Sequence, residues 1–89
     1  MVYPYMTLQD ETEVAHTEVK ENGTVIVYFE KPVDNGFKDA TCILPEYKWL
    51  DIKGYNEKEL KELDDFIHNN AHLIMEYAAE GGFENAAAI

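Results

Sequence analysis

Residues 56–82 read NEKELKELDDFIHNNAHLIMEYAAEGG, and this stretch decides the fold. Its apolar side chains recur at spacings of three and four residues, which places them on one side of an α-helix. The set comprises Leu60, Leu63, Phe66, Ile67, Ala71, Ile74, Tyr77 and Ala78. The sequence therefore predicts a long amphipathic helix with one broad apolar stripe.

Both ends of this helix carry residues that suit helix termini. Asn56 is a good N-cap, and Glu59 lies where its carboxylate can accept from the Asn56 N–H, as in a capping box. Gly81 and Gly82 offer the left-handed residue that ends many helices. If Gly82 takes that role, Phe83 can pack back on Ala78.

Asn70 interrupts the apolar stripe. A buried amide needs hydrogen-bond partners, so we expect Asn70 to bond to a strand backbone or to a group across a dimer interface. The alternative is a half-exposed position at the margin of the stripe.

Short runs before the helix have the composition of β-strands. Residues 12–20, 24–30 and 37–44 are predicted strands, and residues 46–53 are a fourth strand or an extended crossover. Residues 2–8, interrupted by Pro4, suit an edge strand or an arm over the core. The prediction is one α+β domain over residues 1–89. It has a three- to four-stranded antiparallel sheet, built as a β-hairpin or meander, with the C-terminal helix packed on one face.

Asn22-Gly23 predicts a two-residue type I′ hairpin turn, because both residues tolerate positive φ. This turn would place Ala15 opposite Glu30. Ile26 and Tyr28 would then share one face, with Val25, Val27 and Phe29 on the other. Since one helix covers only one face, we expect Val25, Val27 and Phe29 to remain exposed and to form an interface, in a homodimer or with another protein.

Charge and composition restrict the classes of partner. The net charge is −11, the seven basic residues are all lysines between positions 20 and 61, and arginine is absent. Arginine-free acidic surfaces are poorly suited to phosphate backbones, so the sequence argues against direct nucleic-acid binding and for a basic protein partner. No run of residues is long and apolar enough for a membrane span, and the single Cys42 suggests a reducing, cytoplasmic environment.

The candidate partner-binding residues fall into two groups. Tyr47, Trp49 and Tyr55 precede the helix and have the character of interface anchors, although Trp49 also suits a place at the end of the core. Glu76 and Glu80 lie near the negative end of the helix dipole without a lysine beside them, which indicates a basic partner there, although chance in so acidic a sequence explains the two residues equally well.

A weaker alternative is metal or small-molecule binding at His68 and His72. These residues are four apart on one helix face, the spacing at which two imidazoles can share a metal ion. Pairing with Asp64, Asp65 and Glu76 on the helix surface explains them without a metal ion, and we favour this interpretation. Cys42 lies in an apolar strand without an activating base, so we predict neither catalytic residues nor a cofactor.

The order strand–hairpin–strand–strand–helix and the acidic balance resemble the small antitoxins of the HicB kind. The glycine and alanine pattern of that family is absent here, so no residue role is carried over. The resemblance leaves an antitoxin-like protein as an alternative to a general interaction domain. The acidic charge leaves another alternative, an inhibitor that mimics nucleic acid.

Overall fold

The structure is a computed structural model, and it describes residues 1–81. The predicted antiparallel sheet and C-terminal helix are confirmed, but the sheet has five strands rather than three to four. Both segments left open by the sequence are edge strands. The elements are β1 (Val2–Thr7), β2 (Glu13–Thr17), β3 (Val25–Val33), β4 (Gly36–Leu44), β5 (Lys48–Lys53) and α1 (Glu57–Ala79).

The sheet is a meander in which each strand pairs antiparallel with its neighbours in the chain. β3 and β4 form the longest ladder, from Val25↔Leu44 to Val33↔Gly36. The predicted strand over residues 24–30 is too short at its C-terminal end, because β3 continues through Pro32 to Val33. The pairing of β2 with β3 stops at Glu30, so Pro32 has a strand on one side only and its missing N–H is tolerated there.

The hairpin between β2 and β3 differs from the predicted two-residue turn. Gly23 has a φ of 82°, but Asn22 is not among the positive-φ residues of the described chain. The Gly23 N–H donates to the Lys20 carbonyl oxygen at 2.8 Å, which closes a longer loop. Ala15 consequently pairs with Tyr28 instead of Glu30. A shift by two positions leaves every side chain on its predicted face, because side chains alternate with a period of two.

The helix begins as the sequence predicts. The Glu59 N–H donates to Asn56 Oδ1 at 2.8 Å, and the Asn56 N–H donates to Glu59 Oε1 at 3.0 Å, which completes the capping box. At the other end Gly81 is left-handed, with a φ of 89°. The predicted packing of Phe83 on Ala78 lies outside the described residues. No helix in residues 1–81 is long and apolar enough to cross a membrane.

Replacing Asn56 with alanine should lower the free energy of unfolding by about 1 kcal/mol, because the Glu59 N–H loses its acceptor, Asn56 Oδ1. Urea denaturation followed by circular dichroism measures this. The matched control is Asn69→Ala on the exposed side of α1, which should change stability by less than about 0.5 kcal/mol. Equal losses in both variants would contradict a capping role for Asn56.

α1 covers the face of the sheet that we expected to stay open. Val25 and Val27 are 0% exposed and Phe29 is 1% exposed, so the prediction that they form an interface is wrong. On this face they join Val14, Ala40, Cys42 and Leu44, an apolar set that the helix stripe covers completely. The opposite face carries carboxylates and threonine among its apolar residues, so burying it would release less free energy. Because Val25, Val27 and Phe29 are buried within the chain, they provide no support for a homodimer.

The helix crosses the sheet diagonally. Near its start, Lys38 of β4 donates to Glu59 Oε2 at 2.6 Å. In its second half, the Tyr5 hydroxyl of β1 donates to Asn70 Oδ1 at 2.9 Å. One helix thus reaches from β4 to β1 and encloses one side of the sheet, while nothing in residues 1–81 lies over the other side.

Candidate interaction surfaces

Asn70 finds its partners within the chain. Its Oδ1 accepts from the Tyr5 hydroxyl at 2.9 Å, and its Nδ2 donates to the Phe66 carbonyl oxygen at 2.9 Å. Burial raises the pKa of Tyr5, with a smaller contribution from Tyr77, so its hydroxyl stays protonated and donates. Asn70 therefore ties β1 to α1, and it provides no support for a dimer interface.

Tyr47 and His68 form a pair that the sequence did not predict. Their rings are parallel within 5°, with centroids 3.8 Å apart. His68 Nδ1 also lies 2.8 Å from the Asp64 carbonyl oxygen. Tyr47 has a φ of 58°, unusual for a bulky residue, and this backbone conformation accompanies the stack.

The alternative metal site at His68 and His72 receives no further ligands. His72 is exposed, and His68 is engaged with Tyr47. Residues 1–81 contain no group of three histidine, cysteine, aspartate or glutamate side chains arranged to hold a metal ion. Within the described part of the chain, the spacing on the helix is thus the single feature that suggests metal at this position.

Trp49 joins β5 to both the core and the helix. Its ring lies 5.5 Å from that of Phe29, and its Nε1 donates to Asp64 Oδ1 at 2.9 Å. These contacts match the alternative in which Trp49 closes one end of the core. A direct role in partner binding stays a prediction.

Tyr55 also has structural contacts. The Lys38 ammonium lies 5.9 Å from the centre of its ring, and its buried hydroxyl sits beside the Thr12 hydroxyl. Burial raises the pKa of Tyr55, and the hydrogen bond from Lys38 lowers the pKa of Glu59. This cluster anchors the segment that leads into the helix.

The two predicted groups of partner-binding residues do not form one surface. Glu76 and Glu80 are exposed, and the last helical turn has no basic residue. Trp49 lies against Asp64, and at 1.5 Å per residue Glu80 is about 24 Å further along the helix. A partner at the aromatic residues would therefore not reach Glu80 unless it were large.

Cys42 should not react as a nucleophile in the folded protein. The residue is 0% exposed, and burial together with the Asp64 charge raises the pKa of its thiol to about 11. We expect Ellman's reagent at pH 8 to label Cys42 only after unfolding, because the thiolate is the reactive form. The rate should rise steeply across the urea transition. Rapid labelling without denaturant would contradict the burial of this residue.

The uncovered side of the sheet, here called the open sheet face, is rich in apolar residues. Val2 is 52% exposed, Tyr28 37% and Leu50 36%. Partly buried Ile26 and Ile43 lie between them as a cross-strand pair. Antiparallel sheets that face water usually place polar residues on that side, so an apolar open face needs a physical explanation.

Three carboxylates cross the same face in one line, here called the carboxylate row. Glu13 of β2 pairs with Glu30 of β3, which pairs with Asp39 of β4, and Lys53 of β5 stands next to Asp39. Within residues 1–81 none of the three acids has a salt bridge or a side-chain hydrogen bond. The acids come from three distant segments, so the sequence alone could not bring them together. The alternation along β3 indicates only that Glu30 and Tyr28 share a face.

Residues 1–81 therefore form a small α+β fold with a helix on one side of a five-stranded meander and an apolar, acidic surface on the other. Comparisons with protein-family models, with curated proteins and with solved structures found no match. A function has to be inferred from the surfaces of this chain.

Proposed function

We propose that this protein is a non-enzymatic, acidic interaction domain that binds a basic protein through its open sheet face. The observation that carries the proposal is the carboxylate row set among uncovered apolar residues of that face. A free, buried Cys42 fits a reducing compartment, so we place this activity in the cytoplasm.

Apolar exposure on the open sheet face supports an interaction role. Contiguous apolar patches rimmed by polar groups typically mark surfaces where other proteins dock. Tyr28 lies centrally, on the middle strand, between Ala15 and Thr41. A large aromatic side chain in that position is the kind of residue that dominates binding energy in interfaces.

The charges of the same face favour a basic partner over a second copy of the chain. Like charges directly opposite each other on neighbouring strands destabilise a sheet, and Glu13, Glu30 and Asp39 form two such pairs in succession. A basic partner would relieve this repulsion. A second copy, which also has a net charge of −11, would add to it.

Selection from a random peptide library tests the proposal without assuming a partner. The immobilised chain should select peptides that combine lysine or arginine with apolar residues, and binding should weaken as salt rises. In a titration of the ¹⁵N-labelled chain with one selected peptide, the shifted amides should lie in β2, β3 and β4 around the carboxylate row.

Two variants with the same change in net charge provide the control. Glu30→Lys should weaken binding of the selected peptide at least about tenfold, equal to about 1.4 kcal/mol, whereas Glu62→Lys at an exposed position of the helix should leave it nearly unchanged. The proposal would be overturned if no peptide were selected, if both variants lost affinity equally, or if the shifted amides lay on α1.

A further inference from the structure

The open sheet face is organised in rows that cross the strands. The carboxylate row lies between two rows that are mainly apolar. Pro32 pairs with Phe37 on one side, and on the other Tyr28 lies between Ala15 and Thr41, of which Thr41 is polar. Successive residues on one face of a strand are about 6.8 Å apart. A ligand lying along β3 and β4 would therefore meet three rows at regular intervals. These are a mainly apolar row, the carboxylate row and a second mainly apolar row.

The outermost apolar row is unusually accessible. Phe37 is 56% exposed, and its cross-strand partner Pro32 is also exposed. Both lie where the β3–β4 hairpin extends beyond its neighbours, because the pairing of β2 ends at Glu30 and that of β5 ends opposite Asp39. Phe37 thus projects beside the carboxylate row with more than half of its surface exposed.

The opposite end of the face is nearly neutral. Lys20 and Lys48 lie there together with Glu21 and Glu46 around the Ile26–Ile43 pair. The strongest local charge on the open sheet face is therefore the carboxylate row. One basic position in a ligand would be enough to fix its placement along the strands.

The edges of the sheet are poor sites for adding a further strand. β1 contains Pro4 and an irregularity between Pro4 and Met6. β5 has Lys48 and Lys53 at its ends and a positive φ of 52° at Asp51. Proline, bulges and charged residues on edge strands prevent pairing with another chain. A partner is thus directed to the face of the sheet.

An extended peptide is not well suited to that face, because its backbone N–H and C=O groups would be set against apolar side chains without partners. An α-helix satisfies these groups internally. The same chain shows this solution on its other side, where α1 covers Val25, Val27 and Phe29.

We infer that the partner contributes a basic amphipathic helix that lies along β3 and β4 on the open sheet face. A lysine or arginine at position i+4 meets the carboxylate row, and apolar residues at i and i+8 meet Phe37 and Tyr28. Four helical residues advance about 6 Å, which matches the spacing of the rows. This inference rests on the proposed function and adds the form and spacing of the ligand.

Three synthetic peptides of equal length test the helix and its spacing by calorimetry. The first is a helical peptide with leucine at i and i+8 and arginine at i+4. The second has glutamate in place of that arginine, and the third has two central prolines that prevent a helix. The second and third should each bind at least about tenfold more weakly than the first, equal to about 1.4 kcal/mol.

Substitutions at exposed residues test which side chains contact the peptide, because such changes have little effect on stability. Glu13→Gln/Glu30→Gln should abolish the preference for the arginine peptide, whereas Glu57→Gln/Glu62→Gln at exposed positions of α1, the matched control, should retain it. Phe37→Ser should weaken the arginine peptide about tenfold. Circular dichroism of each variant should match that of the unmodified chain.

The outcomes separate this inference from the proposed function. If the proline peptide bound as tightly as the helical one while amides of the open sheet face still shifted, the helix would be wrong and the proposed function would stand. If the double Glu→Gln variant kept its preference, the assigned role of the carboxylate row would be wrong. If no peptide shifted amides of the open sheet face, both proposals would fail.

Discussion

Phe29→Ala is expected to lower the free energy of unfolding by about 3–5 kcal/mol. Phe29 is 1% exposed and contacts the rings of Trp49 and Phe66, so truncation leaves a large cavity between sheet and helix. A domain of 89 residues has a free energy of unfolding of only about 5–10 kcal/mol, so this substitution would remove a large part of it. Urea denaturation followed by circular dichroism gives the value.

Tyr28→Ala is the matched control, since Tyr28 precedes Phe29 on β3 and points to the open sheet face. Tyr28 is 37% exposed, and its truncation should cost less than about 1 kcal/mol. If Phe29→Ala is too unstable to fold, Phe29→Leu should still show a loss of about 1 kcal/mol. Equal losses at positions 28 and 29 would contradict the placement of α1 over the Phe29 side.

Gly54→Ala is expected to destabilise the fold by about 2–3 kcal/mol. Gly54 has a φ of 86°, which a side chain disfavours, and an added Cβ would lie 2.9 Å from Lys38 Cγ and 3.4 Å from Lys38 Cα. The Lys38 side chain is restrained, because its Nζ forms a salt bridge with Glu59 Oε2 at 2.6 Å. The substitution would disturb the connection between β4 and the start of α1.

Gly23→Ala separates backbone strain from crowding. Gly23 has a similar φ of 82°, but no atom lies within 4 Å of an added Cβ. This variant should lose only about 1–2 kcal/mol, the cost of the left-handed conformation alone. If both glycine variants had the same stability in thermal or urea denaturation, the close approach of Lys38 to Gly54 would not contribute to the free energy of unfolding.

Features that depend on neighbours in the chain could be predicted from the sequence. The capping box needs only Asn56 and Glu59, and the helical stripe needs only the recurrence of residues such as Leu63, Ile67 and Ile74. The interruption at Pro4 indicated an edge strand or an arm over the core, and the structure shows the edge strand. Each of these follows from local geometry and hydrogen bonding, which act over a few residues.

Features that depend on pairing between distant segments were wrong or missing. The alternation along β3 separated Tyr28 from Phe29, but it did not indicate which side the helix would cover. The face that the helix covers depends on the residues that β2 and β4 contribute to each face. Ala40 and Leu44 lie on the Phe29 face, and Glu13 and Asp39 lie on the Tyr28 face. The stack of Tyr47 on His68 likewise joins a strand segment to a helix surface.

The sequence by itself thus determined the helix, its caps and the strand-rich first half, because these arise from short-range periodicity and backbone preferences. Only the tertiary structure decided the register, the buried face and the carboxylate row on the open sheet face. The face with the larger apolar area, summed over all five strands, is the one that the helix buries. The sequence of one strand does not reveal that total.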